Sequence, residues 1–225
     1  MTLYVGPSVP FSTDHWSLTT SPRHVYPEAT RIIDLTVSEE EILRQMKPKG
    51  RYNIAVAERH DVIVEQTRDA GAFHTLMVET ADRDGFKALP LRHYQLFLEA
   101  QQDSFLLLAS TSHNGQKKVI AGLTGITWNG TGIYYYGASS YEERALMAPY
   151  LLQWKAMKLC KASGCFNYDL LGVAPASAGP DHPWTGITSF KEKFGGEYVE
   201  HPEEKQMVLR PYMKGLLDWK RRVIG

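Results

Sequence analysis

The chain has 225 residues, of which 43% are hydrophobic, and its 25 basic residues balance 25 acidic ones. A neutral chain of this size can bury a large core, and it lacks the bulk positive charge of proteins that coat nucleic acids. Its two cysteines, Cys160 and Cys165, exclude a disulfide framework and an all-cysteine metal site, and they favour a reduced, cytoplasmic protein.

The N-terminal region, up to about residue 31, is rich in proline, serine and threonine and shows no periodicity, which predicts an irregular lead-in. It has no basic start followed by an apolar run, so we expect no signal peptide. No stretch of the chain approaches the 18 apolar residues of a membrane span. TRIIDLT then predicts a strand, and Ser38 with Glu41 forms a capping box that begins a helix.

The next segments alternate between helical and β-rich patterns. RYNIAVAERH predicts a second helix and DVIVEQTR a short strand. AFHTLMVETADRDGF and LPLRHYQLFLEAQQ predict two more helices, because apolar positions recur on one side of each. Those positions are Phe73, Leu76, Met77 and Thr80 in the first, and Leu91, Tyr94, Phe97 and Leu98 in the second.

Residues 104–140 contain three β-rich runs separated by HNGQ and WNGTG, both typical of hairpin turns, and so predict an antiparallel meander. YEERALMAPYLLQWKAMKLCKASG predicts the longest helix, ending at Gly164. A strand (FNYDLLGV), a loop rich in proline and glycine, a short helix (ITSFKEKFGG), strand material (EYVEHPEEKQMVLRP) and a basic closing helix (YMKGLLDWKRRVIG) follow.

This order predicts an α+β fold with a mixed, largely antiparallel central sheet flanked by helices. It is also the order of the GNAT-like (acyl-CoA N-acyltransferase) fold. Acetyltransferases of that fold use a Q/R-x-x-G-x-G/A turn, whose backbone N–H groups hold the CoA pyrophosphate at a helix N-terminus. The corresponding junction here, GASSYEERALMAPY, lacks these glycines, so we expect the usual CoA cradle to be missing.

Other catalytic patterns are absent from the sequence. Ser139 has no G-x-S-x-G elbow around it, and the eight histidines show neither HExxH nor close-paired ligand spacing. There is no P-loop and no G-x-G-x-x-G motif. We therefore expect no metal and no bound cofactor.

Three segments taken together resemble the Fem family (FemA, FemB and FemX) of non-ribosomal peptidyltransferases: KPKGRYNIAVAERHDV, YYYGASSYEERALMAPYLLQWKAMKLCKASGCFNYDLLGV and FKEKFGGEYV. The resemblance extends from about Ile32 to the C-terminus. It implies an aminoacyltransferase that moves an amino acid from aminoacyl-tRNA to the amine of a peptidoglycan-precursor stem peptide. The precursor is UDP-linked or lipid-linked, and a lipid-linked one would bring the protein to the membrane surface.

Fem proteins are described as two acyltransferase-like domains, and most of this chain is similar to the second. We therefore expect residues 1–31 to be a remnant of a first domain and residues 32–204 to form the GNAT-like domain. Residues 205–225 are expected to pack back on that remnant. A complete member is about half as long again, so the chain is expected to be N-terminally short.

The resemblance implies that Phe190 and Lys191, in SFKEKFGG, lie at the reaction centre. There the lysine would stabilise the oxyanion that forms as an amine attacks the aminoacyl ester, and a fixed cation in a partly dry site stabilises such charge strongly. The alternative is a solvated lysine at a helix end.

The family also implies tyrosines around the phosphates of the precursor. One comes from the last strand of the meander, where Tyr135 or Tyr136 fits. Strand alternation is expected to put Tyr134 and Tyr136 on one face and Tyr135 on the other, so only one of the two candidates can line the groove. Tyr94, from the preceding helix, is the second tyrosine.

The basic residues for the phosphates are less regular. The family arginine falls nearer Pro90 than Arg92, and Lys87 or Arg92 is the candidate substitute. Lys49 and Arg51 are candidate contacts to RNA or phosphate, with a charged helix junction as the alternative.

Asp169 could orient Lys191 or serve as a structural hydrogen-bond acceptor. Two other functions stay open at this point. One is an N-acyltransferase of the same fold acting on another amine with another activated donor. The other is a binding protein that keeps the fold without the activity.

Overall fold

The computed structural model describes residues 2–5, 18–21, 27–113, 116–208 and 219. Its strands are β1 (Thr2–Val5), β2 (Thr19–Thr20), β3 (Ala29–Asp34), β4 (Ile63–Thr67), β5 (Ser104–His113), β6 (Gln116–Trp128), β7 (Thr131–Ser139), β8 (Asn167–Asp169), β9 (Glu197–Glu200) and β10 (Lys205–Val208). Its helices are α1 (Glu39–Gln45), α2 (Pro48–Arg59), α3 (Ala70–Asp84), α4 (Leu91–Ala100), α5 (Ala148–Ala162) and α6 (Thr185–Lys191).

The central sheet has seven strands in the order β4-β5-β6-β7-β8-β3-β9. Its neighbouring strands run antiparallel except for the parallel pair β7 and β8. With helices flanking this sheet, the predicted α+β, GNAT-like fold class is confirmed. The turn between β6 and β7 has positive φ at both Asn129 (48°) and Gly130 (73°), as a tight hairpin turn requires. The other predicted turn, at residues 114–115, lies outside the described residues.

Side chains from the two faces of the sheet form two separate hydrophobic cores. Along β5, Phe105 and Leu107 belong to the first core, which α2 and α5 cover. Leu106 and Leu108 belong to the second core, which α3 and α4 cover. This alternation follows from the two-residue period of a strand and explains why the run is apolar throughout.

The predicted helices within the described residues form, with shifted starts, and α2 begins at Pro48 rather than at Arg51. Ser38 caps α1 by accepting a hydrogen bond from the Glu41 N–H, as the capping box predicts. The long helix begins later than predicted, because a 3₁₀ turn over Arg144–Leu146 is followed by Met147 in the left-handed region (φ 54°). Pro149 then lies in the first turn of α5, the one part of a helix that tolerates proline.

A β-bulge in β7 overturns the expected alternation of its tyrosines. Tyr134 pairs with Gly125 and Tyr136 pairs with Thr124, so Tyr135 is an extra residue in the ladder. Tyr134 therefore packs against the first core and Tyr136 against the second. The prediction that these two share a face is wrong, because one inserted residue reverses the alternation beyond it.

The short helix α6 is locked against its neighbours at its C-terminal end. A 3₁₀ turn over Glu192–Phe194 follows it, and then Gly195 and Gly196, each with φ of 77°. A Cβ on Gly195 would lie 2.6 Å from the carbonyl oxygen of Gln45, so only glycine fits there. Phe194 is fully buried in the first core.

Strands from the two ends of the described chain form a separate sheet. Its order is β1-β10-β2, with both pairs antiparallel. The division into residues 1–31, 32–204 and 205–225 stays a prediction, and β3, which begins at Ala29, crosses the first of those boundaries. Apart from Trp219, the predicted closing helix lies outside the described residues.

The close approach of α2 to the turn after α6 can be tested at Gly50. A Cβ there would lie 2.3 Å from the carbonyl oxygen of Lys193. We expect Gly50→Ala to lower the free energy of unfolding by about 1–3 kcal/mol in chemical denaturation, because backbone must move. Gly186→Ala is the matched control: its Cβ meets nothing within 4 Å, so that variant should be neutral or stabilised by about 0.5–1 kcal/mol. Equal losses in both variants would contradict the close approach.

Candidate active site

The candidate site lies where two parallel strands separate. The ladder between β7 and β8 ends at the pair Ile133 and Asp169. Beyond it, β7 continues along β6, whereas the chain after β8 follows β3, with hydrogen bonds from the Leu170 N–H to Arg31 and from the Val173 N–H to Ala29. A gap therefore opens in the centre of the sheet.

The side chain of Lys191 reaches into this gap from the last residue of α6. The residue is only 5% exposed. Its Nζ donates hydrogen bonds to the carbonyl oxygens of Leu171 (3.1 Å) and Gly172 (2.6 Å), on the β8 side. On the β7 side, Nζ lies 5.5 Å from the centre of the Tyr134 ring. The alternative of a solvated lysine at a helix end is therefore wrong.

Burial changes the acidity of the groups in the gap. It lowers the pKa of Lys191 from 10.5 to about 8, while the negative charge of Asp169 opposes that shift. Burial also raises the pKa of Tyr134 to about 12, so its phenol stays neutral at physiological pH. The gap thus holds one positive charge, mostly protonated at pH 7, beside an uncharged ring.

Tyr134 is the site residue that sequence reasoning missed. A Cβ on Gly137 would lie 2.0 Å from the Tyr134 hydroxyl oxygen, so the phenol lies over this glycine of its own strand. The hydroxyl is hydrogen-bonded to Gln153 of α5, which also accepts a 2.8 Å bond from Tyr168. In the sequence, Gly137 three residues after Tyr134 was the one sign of a large side chain over this strand, but a glycine alone does not predict a bulge.

A cavity of about 260 Å³ adjoins the gap. Tyr134 and Phe190 line it, together with residues of α3, β6, β7 and the first turns of α5. Two basic side chains, Arg83 and Arg144, and two acidic ones, Asp84 and Glu143, also line it, and Arg83 is paired with Asp84. Most of the remaining lining is apolar, so the cavity suits a largely uncharged group.

The start of α5 offers few free backbone donors to this cavity. Pro149 has no N–H, and the Tyr150 N–H is already hydrogen-bonded to the carbonyl oxygen of Met147 at 3.0 Å. A pyrophosphate bound at a helix N-terminus needs several such donors. This agrees with the missing glycines of the CoA motif.

Phe190, the other predicted residue of the reaction centre, sits in an aromatic group behind Lys191. Its ring centroid is 5.1 Å from that of Tyr150 and 5.2 Å from that of Phe194, both near-perpendicular. Such edge-to-face contacts fix the ring. Phe190 thus anchors the end of α6 that carries Lys191.

The predicted phosphate-binding tyrosines lie together on the opposite face of the sheet. Tyr94 is buried and packs edge-on against Tyr136, with centroids 5.5 Å apart. The Tyr136 hydroxyl is 3.1 Å from His93 Nε2. Tyr135 is 40% exposed and contacts Phe97. Because of the bulge, Tyr135 and Tyr136 both contact this aromatic group.

The predicted basic residues are less uniform. Arg92 is exposed, and its Nη1 alone donates to both carboxylate oxygens of Glu99, each at 3.1 Å. Lys87 is exposed in the loop before α4. Lys49 is exposed with its Nζ 5.0 Å from the centre of the Tyr52 ring. Arg51 directs Nη1 to backbone carbonyl oxygens at the end of α1, including that of Met46, so this part of its guanidinium is engaged in the fold.

The part of the chain that the structure describes shows neither a membrane-spanning helix nor a metal cluster. No helix there is both long and apolar enough to cross a membrane. Nor do three or more histidine, cysteine or acidic side chains come together as a metal site there.

A model of the FemAB family matches the chain over residues 10–114 and again over residues 109–214. Among solved structures, FemX matches with a TM-score of 0.79 and 17% sequence identity, over 95% of this chain and 68% of FemX. The C-terminal domain of a protein described as a lysylphosphatidylglycerol synthetase from Agrobacterium fabrum matches with a TM-score of 0.56 and 12% identity, over 84% of this chain and 61% of that one. No curated protein matches the sequence.

L-PGS from Bacillus licheniformis matches with a TM-score of 0.55 and 14% identity, over 90% of this chain and 65% of that one. The chain therefore spans less than two thirds of each of these last two chains. At these identities the structural matches show a shared fold.

The buried charge of Lys191 predicts a pH-dependent difference in stability between wild type and Lys191→Met. Between pH 8 and 10.5 the unfolded lysine keeps a proton that the folded one has lost, so stability rises with pH. We expect the free energy of unfolding of wild type, relative to the variant, to increase by about 3 kcal/mol across this window and to stay level below it. Tyrosine titration affects both proteins and cancels. A constant difference measured by denaturation at each pH would show that Lys191 is solvated.

Proposed function

The chain belongs to the FemAB family, and we propose that it is an aminoacyltransferase that moves an amino acid from aminoacyl-tRNA to the amine of a peptidoglycan-precursor stem peptide. The family and the GNAT-like fold support acyl transfer in general. The observation that carries the finer proposal is the position of Lys191, a buried cation in the gap between β7 and β8.

The proposed reaction needs alignment and charge stabilisation rather than a covalent intermediate. The amine nitrogen attacks the ester carbonyl carbon, and the carbonyl π electrons move to its oxygen, which becomes an oxyanion. As the tetrahedral intermediate collapses, the C–O bond to the ribose breaks and the amide is complete. The amine proton is lost and the ribose oxygen gains one, so the step is balanced without another reactant.

Lys191 has the donor that this oxyanion needs. An ammonium carries three N–H groups, and two of them are directed to the carbonyl oxygens of Leu171 and Gly172. One donor therefore remains for a ligand, among the contacts of the described residues. Because Lys191 is only 5% exposed and is held in place before the reaction, its interaction with developing negative charge is much stronger than in water.

The two substrates would approach from different sides. We propose that the ester end of the donor lies in the cavity beside Phe190. Arg144 would be available to a phosphate of the donor, whereas Arg83 would first have to leave Asp84. Because Tyr94 is buried beneath α3 and α4, the acceptor would lie at the edge of this aromatic group, beside Tyr136 and the exposed Tyr135, with Lys87 or Arg92 available to its phosphates. Arg92 would have to leave Glu99 to do so, and this exposed pair costs little to break.

Aminoacyl-tRNA is favoured over acyl-CoA as the donor, because the start of α5 lacks the backbone donors for a pyrophosphate. Lys49, beside the exposed ring of Tyr52, is a candidate contact to the RNA, and the donor implies a cytoplasmic enzyme. A second candidate function is N-acyl transfer to another amine with another activated donor, which the same fold would also support. A third candidate function is a binding protein without activity. A folded protein that transfers no acyl group from either donor would favour it.

The chain division is also a proposal. The separate sheet of β1, β10 and β2 supports assigning residues 1–31 and 205–225 to a remnant of a first domain, with residues 32–204 as the acyltransferase domain.

The proposed role of Lys191 predicts the result of its removal. We expect Lys191→Ala to lower kcat about a hundred- to a thousandfold, in transfer of labelled amino acid from charged tRNA to a UDP-linked or lipid-linked precursor. Lys193→Ala is the matched control. Lys193 lies two residues after Lys191, and its Nζ donates to the carbonyl and hydroxyl oxygens of Ser189, so this variant should keep the wild-type rate. Transfer from acyl-CoA and never from tRNA would instead support the second function.

The two candidate tyrosines can be separated by their hydroxyl groups. We expect Tyr136→Phe to raise KM for the precursor about five- to tenfold with little change in kcat, because it removes a hydroxyl that His93 holds in place. Tyr135→Phe serves as the control. If only the Tyr135 variant changes KM, the precursor contact belongs to Tyr135.

A further inference from the structure

We propose that Asp169 is a positioning residue for Lys191, acting through the backbone turn at Leu171. Its effect on catalysis rests on the proposed function, whereas its effect on the geometry and charge of Lys191 does not. The inference comes from a chain of contacts that joins β3, β8 and α6.

The carboxylate of Asp169 is itself held in place. It lies at the end of β8, where its Oδ1 accepts a hydrogen bond from the hydroxyl of Thr30, a residue of β3 that is only 1% exposed. The same oxygen accepts a 2.7 Å bond from the Leu171 N–H, two residues further along the chain. A bond from an aspartate to the backbone two residues on is the local contact that stabilises a tight turn.

The turn needs such an anchor, because Leu171 has φ of 56°. Residues other than glycine rarely adopt this left-handed conformation, and it persists where surrounding contacts enforce it. The backbone on both sides of the turn is hydrogen-bonded to β3: the Leu170 N–H donates to the carbonyl oxygen of Arg31 and the Val173 N–H to that of Ala29, each at 2.9 Å. The Asp169 bond supplies the third constraint, between those two points.

The turn determines the direction in which two backbone carbonyl groups point. Leu171 and Gly172 both direct their oxygens to the Nζ of Lys191, at 3.1 and 2.6 Å. Two carbonyl oxygens define where the ammonium lies and which of its N–H groups remains free. A relaxed turn would release both oxygens together, and small misplacements of a reacting group are costly.

The negative charge of Asp169 also acts directly on Lys191. It raises the pKa of the ammonium, against the larger opposite effect of burial. Tyr134, on the β7 side, is the other titratable group facing Nζ, and it stays neutral. Glu192, next to Lys191 in the chain, is paired with Lys47 and Arg31 instead. Charge and turn are therefore two separable contributions of one carboxylate.

Four variants separate these contributions. Asp169→Asn keeps an oxygen acceptor for Leu171 and Thr30 but removes the charge. Asp169→Ala removes both. Asp169→Ala with Leu171→Gly places glycine at the turn, and glycine adopts positive φ without strain even when the Asp169 bond is missing. Asp169→Ala with Leu171→Ala is its matched control. The readouts are an NMR pH titration of the Lys191 Nζ signal, identified with Lys191→Arg, and the pH profile of aminoacyl transfer with charged tRNA.

The expected results differ for each variant. Asp169→Asn should lower the pKa of Lys191 and move the alkaline limit of transfer to lower pH, with kcat at its plateau within about threefold of wild type. Asp169→Ala should also lower kcat about tenfold or more at unchanged KM, since a group acting in the transition state is displaced. The glycine double variant should recover kcat to the Asp169→Asn level while its Lys191 pKa stays low, and the alanine control should not recover.

Two results would overturn the inference. An unchanged Lys191 titration in Asp169→Asn would mean that the carboxylate does not act on the ammonium. If the glycine double variant folds but its kcat does not exceed that of its alanine control, the Leu171 turn does not carry the effect of Asp169 on catalysis. If wild type transfers no amino acid but Asp169→Asn still shifts the Lys191 titration, the proposed function fails and the positioning of Lys191 stands.

Discussion

The placement of one ammonium group in the centre of a sheet is the constraint on which the rest of this structure depends. Burying an isolated cation is expensive, so it requires polar partners and a chain that cannot relax away from it. Lys191 has two carbonyl oxygens on one side and an aromatic ring on the other. These partners exist only because β7 and β8 pair for three residues and then separate.

The bulge at Tyr135 is what gives the two sides of the gap different chemistry. Without it, Tyr134 and Tyr136 would point to the same face. With it, Tyr134 turns to the core beneath α5 and beside Lys191, while Tyr136 joins Tyr94 beneath α3 and α4. One inserted residue therefore supplies an aromatic wall for the cation and a second aromatic group on the opposite face, which suits a reaction that joins two substrates.

Sequence patterns predicted the fold well because its elements are locally encoded. The Ser38 cap, the stripe on α3 and the Asn129–Gly130 turn each depend on neighbours in sequence. Phe190 and Lys191 came from a motif, and the burial of Lys191 behind a partly buried Phe190 agrees with a site. The bulge, the late start of α5 and the Leu171 turn could not be predicted, because each depends on pairing or packing with distant segments.

Several locally unfavourable features meet around the same gap. They are a buried lysine, a leucine at positive φ, a bulged tyrosine strand and a methionine at positive φ before α5. Each costs stability, and scattered examples would be unremarkable packing compromises. Their concentration at one point is harder to explain by folding alone, since an apolar residue at position 191 would remove the largest of these costs. The presence of a lysine rather than an apolar residue at the opening of the sheet therefore favours a site that needs a held positive charge.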